Sequence, residues 1–455
     1  MKLHILVVVV TPAVSNRIIN QLNFEVLMNP VTNLSADEIP KQWYNAIPDL
    51  PGVLPAIKDP DDGFSRIELG KKIRPKVLTD QDNLEESWID IPDEVLEKYL
   101  QVGRPTPLQR AENLEKYFDT PAKIYFKRED VLPCGSFKLN TSLAQAYYSK
   151  REGFDTLVTE TGAGQWGVAV CMSAKQFGMD AKVFMARTSY RHKPYCATMM
   201  KVFNGEVYES PSSITEAGSK LLKEDSEHPG SIGTGISDAI ETASKNLGRF
   251  AYVSGSNLPH VLLHQTIIGL ETKKQLDKLS ITPNALVACV GGGSNLGGFF
   301  LPFLKEKIAK KSDLQFMATE SESVPRLTEG KYQYDFGDPA ALTPLMKSYT
   351  LGHEFVPPKI HIGGLRQHSG SPIVGFMRHK KILDALAFSQ SEVFEAGQLF
   401  LQHEGILPAP ESCHAIRGAI QLALDAKEKN EPKNIVFCLS GSGWLDLNSY
   451  KKVLF

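Results

Sequence analysis

Ala285-Leu286-Val287-Ala288-Cys289-Val290-Gly291-Gly292-Gly293-Ser294-Asn295-Leu296-Gly297-Gly298 is the stretch from which the fold can be read. An unbroken apolar run of this length is what a parallel strand covered on both faces looks like. The glycines after it let backbone N–H groups close around a phosphate at the start of the next helix, where the dipole favours an anion. A dinucleotide site, with Glu320 ending the next strand as the ribose-binding acid, is the competing reading. Its spacing fails, because a G-x-G-x-x-G frame from Gly291 needs glycine where Leu296 stands, and a frame from Gly292 needs it at Ser294. A phosphate cup is favoured, with a purely structural glycine turn as the remaining alternative.

Working outward, further apolar runs at Thr156–Thr159, Ala181–Met185 and Ile435–Leu439 read as strands, and Tyr125–Asp130 reads as a buried strand ending in charge. Helical runs at 167–177 and 261–276 lie between them. This alternation predicts an α/β architecture of mostly parallel sheets flanked by helices, with ligands at the carboxyl ends of the strands. The segment 316–370 is richer in Gly, Pro and His and reads as long active-site loops. The first hundred residues, rich in Pro and Asp, read as an extended arm over a core. Met1–Ala13 imitates a short signal peptide but reads better as a β-branched opening strand.

Composition narrows the function. Fifty Lys and Arg against 52 Asp and Glu, with no long basic run, argue against a nucleic-acid partner. No stretch reaches the length of a membrane span. The six cysteines lie in apolar stretches without metal spacing, as reduced thiols in the cytoplasm would. No H-E-x-x-H pair or G-x-S-x-G elbow occurs, so metal and serine-hydrolase chemistry lack support.

Four motifs remain. In Cys134-Gly135-Ser136-Phe137-Lys138-Leu139-Asn140, a lysine at a strand-to-helix junction is placed to lose its charge and attack an aldehyde. A solvated lysine in a first helical turn is the plainer alternative. Thr159-Glu160-Thr161-Gly162-Ala163-Gly164-Gln165-Trp166-Gly167 offers backbone donors and the Thr161 hydroxyl to a substrate carboxylate, with Glu160 at the mouth of the turn; a tight connection explains it too. Ser440, ending the strand Ile435–Leu439, would leave a neighbouring pyridine nitrogen unprotonated, unless it is an ordinary Ser-Gly turn. Glu411, in Glu404–His414, is a ligand or catalyst, or simply caps the helix that follows.

Lysine, glutamate, glycine cup and terminal serine, in that order, resemble a pyridoxal-phosphate enzyme of the second fold type. From Ile39 onward the chain is similar to the tryptophan synthase beta chains, especially the second, beta-like subgroup with an extended N-terminus. The stretches that carry the resemblance are Gly103–Leu108, Lys127–Asp130, Gly135–Asn140, Glu160–Gly167, Gly291–Asn295, Tyr349–Pro358 and Glu404–Ala415. The resemblance implies pyridoxal 5'-phosphate as cofactor, with Lys138 as Schiff-base lysine and Gly291, Gly292, Gly293, Ser294 and Asn295 as phosphate cup. It makes Ser440 the partner of the pyridine nitrogen, and Asn140 and Glu411 residues lining the cofactor. Glu160 would assist indole attack, and Thr161, Gly162, Ala163, Gly164 and Gln165 would bind the amino-acid carboxylate. The implied reaction condenses L-serine with indole to give L-tryptophan, in a cytoplasmic homodimer that does not require an alpha subunit.

It also implies a domain plan: an extension and start of the first domain over 1–102, and a segment at 103–136 contributing to the larger C-terminal domain. The first domain, with a mobile closing subdomain, follows over 137–255, and the cofactor-binding domain over 256–455. The rivals are a serine or threonine deaminase or other β-eliminating enzyme, against which Glu160 argues, and a catalytically impaired paralogue.

Some positions depart from the family pattern. Phe137 stands where a histidine is usual, Cys196-Ala197 where two arginines are more common, and Trp444 where a polar or histidine-bearing stretch is expected. Arg366 lies in the loop where alpha-dependent beta chains place an aspartate facing the serine hydroxyl. An arginine there would pair with an anionic leaving group, which makes O-phospho-L-serine a candidate donor; a salt bridge within the loop is the alternative.

Overall fold

The computed structural model describes residues 30–309, 313–361 and 363–455. Two sheets organise it. The larger has seven strands, in the order Val31–Thr32, Leu108–Arg110, Lys123–Arg128, Asn434–Leu439, Ala285–Cys289, Gln315–Ser321 and Asp384–Phe388. From Lys123–Arg128 onward every pairing is parallel, while the pairings of the two short strands at the other end, Val31–Thr32 with Leu108–Arg110 and Leu108–Arg110 with Lys123–Arg128, are antiparallel. The smaller sheet is wholly parallel, in the order Glu206–Ser210, Asp180–Ala186, Thr156–Thr161 and Phe250–Tyr252. All of Ala285–Cys289 and Thr156–Thr161 is buried, so the apolar runs in the sequence report two covered faces.

Helix 165–176 packs on one face of the small sheet and helix 232–244 on another part of it. Helix 410–429 lies along the strands 434–439 and 285–289 of the large sheet. The carboxyl ends of both sheets point their loops inward: Cys289 leads into the glycine cup, Leu439 into Ser440, and Thr161 into the turn before Gln165. That is where ligands bind in parallel α/β sheets.

Two sequence expectations change here. The segment 316–370 is not all loop, because Gln315–Ser321 is a core strand and Lys331–Asp335 pairs with Met346–Thr350. Phe316, Met317 and Ala318 drive the strand into the sheet, and the polar residues after it masked that signal. The first hundred residues, as far as they are described, contain helices at Arg66–Ile73, Lys76–Gln81 and Asp93–Gln101 rather than only an extended arm. The opening-strand expectation for Met1–Ala13 lies outside the described residues. The helix expected over 261–276 is two helices, Pro259–Gln265 and Ile267–Lys278. Thr266 separates them: its hydroxyl donates to the Leu263 carbonyl at 2.6 Å and accepts the Tyr44 N–H at 3.0 Å. No described helix is long and apolar enough to cross a membrane.

Candidate active site

Lys138 opens the helix Lys138–Arg151 at the mouth of the large sheet. Its loop is stitched to the serine turn, since the Phe137 N–H donates to the Ser440 carbonyl at 3.1 Å and the Ser442 N–H to Gly135 at 2.8 Å. The Lys138 amine donates to Ser294 Oγ of the cup at 3.0 Å and to the Gly255 carbonyl. Burial pulls its pKa down to about 8, only partly opposed by the Glu160 charge, so a minor but appreciable fraction of neutral amine exists near physiological pH. The Phe137 ring lies 4.8 Å from Nζ and supplies part of the apolar wall.

Lys138, Glu160, Thr161, Gly162, Ala163 and Gln165 line one small cavity of about 50 Å³, together with Gly255, Ser256 and Gly364. The Glu160 carboxylate accepts the Tyr252 hydroxyl at 3.0 Å. Burial pushes its pKa up to about 7 in spite of that bond, so it can hold or release a proton at neutral pH. Thr161 Oγ1 accepts the N–H groups of Gly164 and Gly167, each at 3.2 Å, and so fixes the turn. Gly164 has φ +102°, and a Cβ there would stand 2.5 Å from Cys196 Cβ, so the loop can close only around glycine.

The cup is equally tight. A Cβ on Gly292 would lie 2.0 Å from Ser256 Oγ, and Gly293 has φ +119°. Arg326, fully buried, donates to the Gly291 carbonyl from beneath. The Ser440 hydroxyl sits 2.7 Å from Ser412 Oγ and 3.6 Å from Cys289 Sγ, a neutral environment with no carboxylate bonded to it among the described residues. Glu411 accepts the Gly364 N–H at 2.8 Å. Burial would raise its pKa, but the Lys193 ammonium and that N–H outweigh it and keep the carboxylate ionised.

Asn140 is not brought to the cavity. Its side chain accepts Arg104 at 2.7 Å and donates to Glu129 at 3.2 Å and to Gln265 at 3.0 Å, deep in a buried charged network. It therefore holds the lysine-bearing helix from behind instead of lining the cofactor. Arg366 is neither free nor salt-bridged: its guanidinium donates to the carbonyls of Pro357 (2.9 Å), Pro358 and Gly230 (3.1 Å), and burial lowers its pKa to about 10. Trp444 is 68% exposed and does not narrow the site. Tyr252, Arg326, Lys193 and Asp446 are given no role by the sequence, because each reaches the site from a distant element; Ser412 lies within Glu404–Ala415, but only Glu411 is assigned from that stretch.

The residues fit a phosphorylated pyridine aldehyde. A partly neutral amine could hold the aldehyde, a glycine-lined cup could take the phosphate, and a serine with no acid beside it could face an unprotonated pyridine nitrogen. Asn295 Oδ1 and Gln165 Nε2, both buried beside these groups, have no hydrogen-bond partner. No group of three or more His, Cys, Asp or Glu suited to a metal occurs among the described residues.

Comparison with known proteins agrees with this donor set. The signature of the family described as "Pyridoxal-phosphate dependent enzyme" matches residues 99–441. The chain is 50% identical over 424 residues to "Tryptophan synthase beta chain 2" of Methanothermobacter thermautotrophicus, covering 93% of this chain and 98% of that protein. It is 51% identical over 425 residues to "Tryptophan synthase beta chain 2" of Thermotoga maritima, covering 93% and 100%. Among solved structures, the fold matches the processed form of threonine deaminase isoform 2 from Solanum lycopersicum with a TM-score of 0.57 at 18% identity, over 89% of this chain and 99% of that one. A fungal L-serine ammonia-lyase from Rhizomucor miehei matches at 0.56 and 18%, over 76% and 97%. The chain belongs to the pyridoxal-phosphate dependent enzymes of fold type II and, within them, to the tryptophan synthase beta chains.

Proposed function

We propose that this protein joins C3 of indole to the β-carbon of L-serine, giving L-tryptophan and water. The observation that carries the reading is Glu160, a carboxyl with a pKa of about 7 in the same cavity as the Lys138 amine. Elimination from serine needs a base at Cα but no second acid facing the incoming nucleophile. When bound, pyridoxal phosphate supplies an electron sink for the pair left at Cα. The chain's own groups do the rest. Lys138 holds the cofactor and moves the proton on and off Cα. Gly291–Asn295 receive the phosphate, and Ser440 leaves the ring nitrogen without a proton. The turn Thr161–Gln165 receives the substrate carboxylate. Glu160 stabilises positive charge as it develops at the indole nitrogen.

An approach for indole supports the same reading. A cavity of about 840 Å³, walled in part by Ile73, Ile236, Ile240, Leu342 and Met346, is also lined by Tyr252, the residue that donates to Glu160. Its mainly apolar wall suits a neutral heterocycle. The amino-acid donor has a second candidate, O-phospho-L-serine. Arg366, two residues beyond Gly364 of the cavity wall, has no carboxylate partner among the described residues, so its charge, although three backbone carbonyls hold the guanidinium, is not cancelled by an anion and would favour a phosphate leaving nearby. In our reading the chain works as a cytoplasmic homodimer without an alpha subunit; six free, buried cysteines suit a reducing compartment. The test is the purified chain alone, loaded with cofactor: tryptophan from serine and indole supports the reading. Pyruvate as sole product, with or without indole, favours a deaminase.

A further inference from the structure

A buried cluster of three charges joins the two sheets beside the site, and two of its members, Lys193 and Asp446, have no role so far. Lys193 follows the small-sheet strand Asp180–Ala186 and its helix Arg187–His192. Its ammonium lies 2.5 Å from Asp446 Oδ1 and 3.4 Å from Glu411 Oε1. Glu411 opens helix 410–429 against the large sheet, and Asp446 ends the turn that follows Ser440. The side chains of Lys193, Glu411 and Asp446 are only 2%, 7% and 1% exposed. Charges this deep hold position only when each has its partner, because water cannot replace one that is lost.

We infer that Lys193 is a positioning residue that clamps the substrate-carboxylate turn onto the cofactor-binding half of the molecule. Two chains of contact run from it. On the small-sheet side it leads directly into helix Pro194–Val202. That helix presses Cys196 against Gly164 and Met200 against Gly167, where a Cβ would come within 2.5 Å of Cys196 Cβ and 2.4 Å of Met200 Sδ. The turn 161–165 therefore cannot shift without helix 194–202. On the large-sheet side, Glu411 holds the Gly364 N–H at 2.8 Å, and a Cβ on Gly291 would lie 2.5 Å from the Gly364 carbonyl. Lys193 thus fixes the distance between the turn that grips the amino acid and the cup that grips the cofactor. A misplaced turn would weaken serine binding and admit water, so that more serine leaves as pyruvate and ammonia.

This rests on the proposed serine–indole reaction, and its test is separable from it. Lys193→Met, Lys193→Arg and Asp446→Asn are compared with the parent, leaving Glu411 untouched. Amide hydrogen exchange is followed over 161–170 without serine, and KM, kcat and the pyruvate-to-tryptophan ratio are measured with it. The clamp predicts faster exchange in that segment, a serine KM raised roughly tenfold with kcat less affected, and a larger pyruvate share for Lys193→Met. Lys193→Arg should recover much of each, and Asp446→Asn should fall between. If Lys193→Met does not fold, Asp446→Asn and Lys193→Arg carry the same readouts. Variants with a lowered melting temperature but parental exchange, KM and product ratio would overturn the clamp. A parent that makes pyruvate but no tryptophan would refute the proposed reaction alone, while exchange and the serine KM would still decide the clamp.

Discussion

Two buried charged regions flank the helix that carries Lys138, and they are built on opposite plans. Behind it, Arg104 donates to Glu129 at 2.9 and 3.1 Å and to Glu271 at 3.0 Å through each of two nitrogens. Lys127 completes the group with bonds to Glu271 at 2.7 Å and Gln275 at 3.0 Å. Two cations face two anions there, and Thr106 and Asn140 take up remaining valences. In front of the helix, Lys138 has no carboxylate within salt-bridge distance among the described residues, and Glu160 has one tyrosine as its side-chain donor. Behind the helix the facing charges outweigh burial at Arg104 and Glu129 and keep both ionised, although burial still lowers the Lys127 pKa; in front, burial prevails at both Lys138 and Glu160. Saturated partners make a fixed support; sparse partners leave an amine and an acid that exchange protons near neutral pH.

The comparison can be broken at either end. The largest effect is expected in front: Lys138→Met should lower the rate by at least about 10³-fold, read as initial velocity of tryptophan formation, with the melting temperature little changed. Behind, Arg104→Met strands buried Glu129, leaves Glu271 with Lys127 alone, and should cost about 3–5 kcal/mol of stability, measured by urea unfolding. If it instead abolished activity at unchanged stability, the back network would be part of the chemistry.

Glu160→Gln should lower tryptophan formation about 10²-fold while affecting pyruvate formation from serine less, as product analysis would reveal. It also carries a pH signature. The Glu160 pKa rises from 4.5 unfolded to about 7 folded, so the folded state favours the protonated form. The parent is therefore most favoured, with respect to this group, below about pH 4.5, and loses that advantage as pH rises through 7. Glu160→Gln should accordingly gain on the parent across this window, by up to about 3 kcal/mol, in unfolding series at several pH values. The smallest effect concerns the donor. Arg366→Gln should lower kcat/KM for O-phospho-L-serine relative to serine by roughly tenfold, about one charge-assisted hydrogen bond. An unchanged ratio would leave Arg366 a loop support only.

Much of this is legible in the chain, for physical reasons. Ala285–Cys289 reads as a strand because both faces are covered and its composition is apolar, and Thr156–Thr159 reads as one from its Leu157-Val158 pair, although the covered strand runs on through Glu160 and Thr161. The cup is readable because only glycine tolerates the close approach of Ser256 and Val374. Asn140 misleads because proximity in sequence says nothing of direction. On a helix at about 100° per residue, position 140 points roughly opposite to 138, so one faces the cavity and the other the support. Arg366 misleads because its position in a loop suggests a free or paired cation, whereas three backbone carbonyls hold it. Lys193 and Tyr252 are invisible because their roles depend on pairings across 218 and 92 positions of chain, to Glu411 and Glu160 respectively. Asp446 is hidden for the same reason, since its partner Lys193 is still farther away along the chain. The strand Gln315–Ser321 is lost in a segment whose loops dominate its composition.

The central claim is that the lysine and glutamate sharing one cavity serve a condensation and not a plain elimination. It is tested most directly by giving the purified, cofactor-loaded chain serine labelled at the β-carbon together with indole, and following the label by NMR. The account predicts that the label appears at the methylene of tryptophan, and that replacing Glu160 with glutamine diverts it to the methyl group of pyruvate. Label found only in pyruvate with the parent protein, whether or not indole is present, would contradict it.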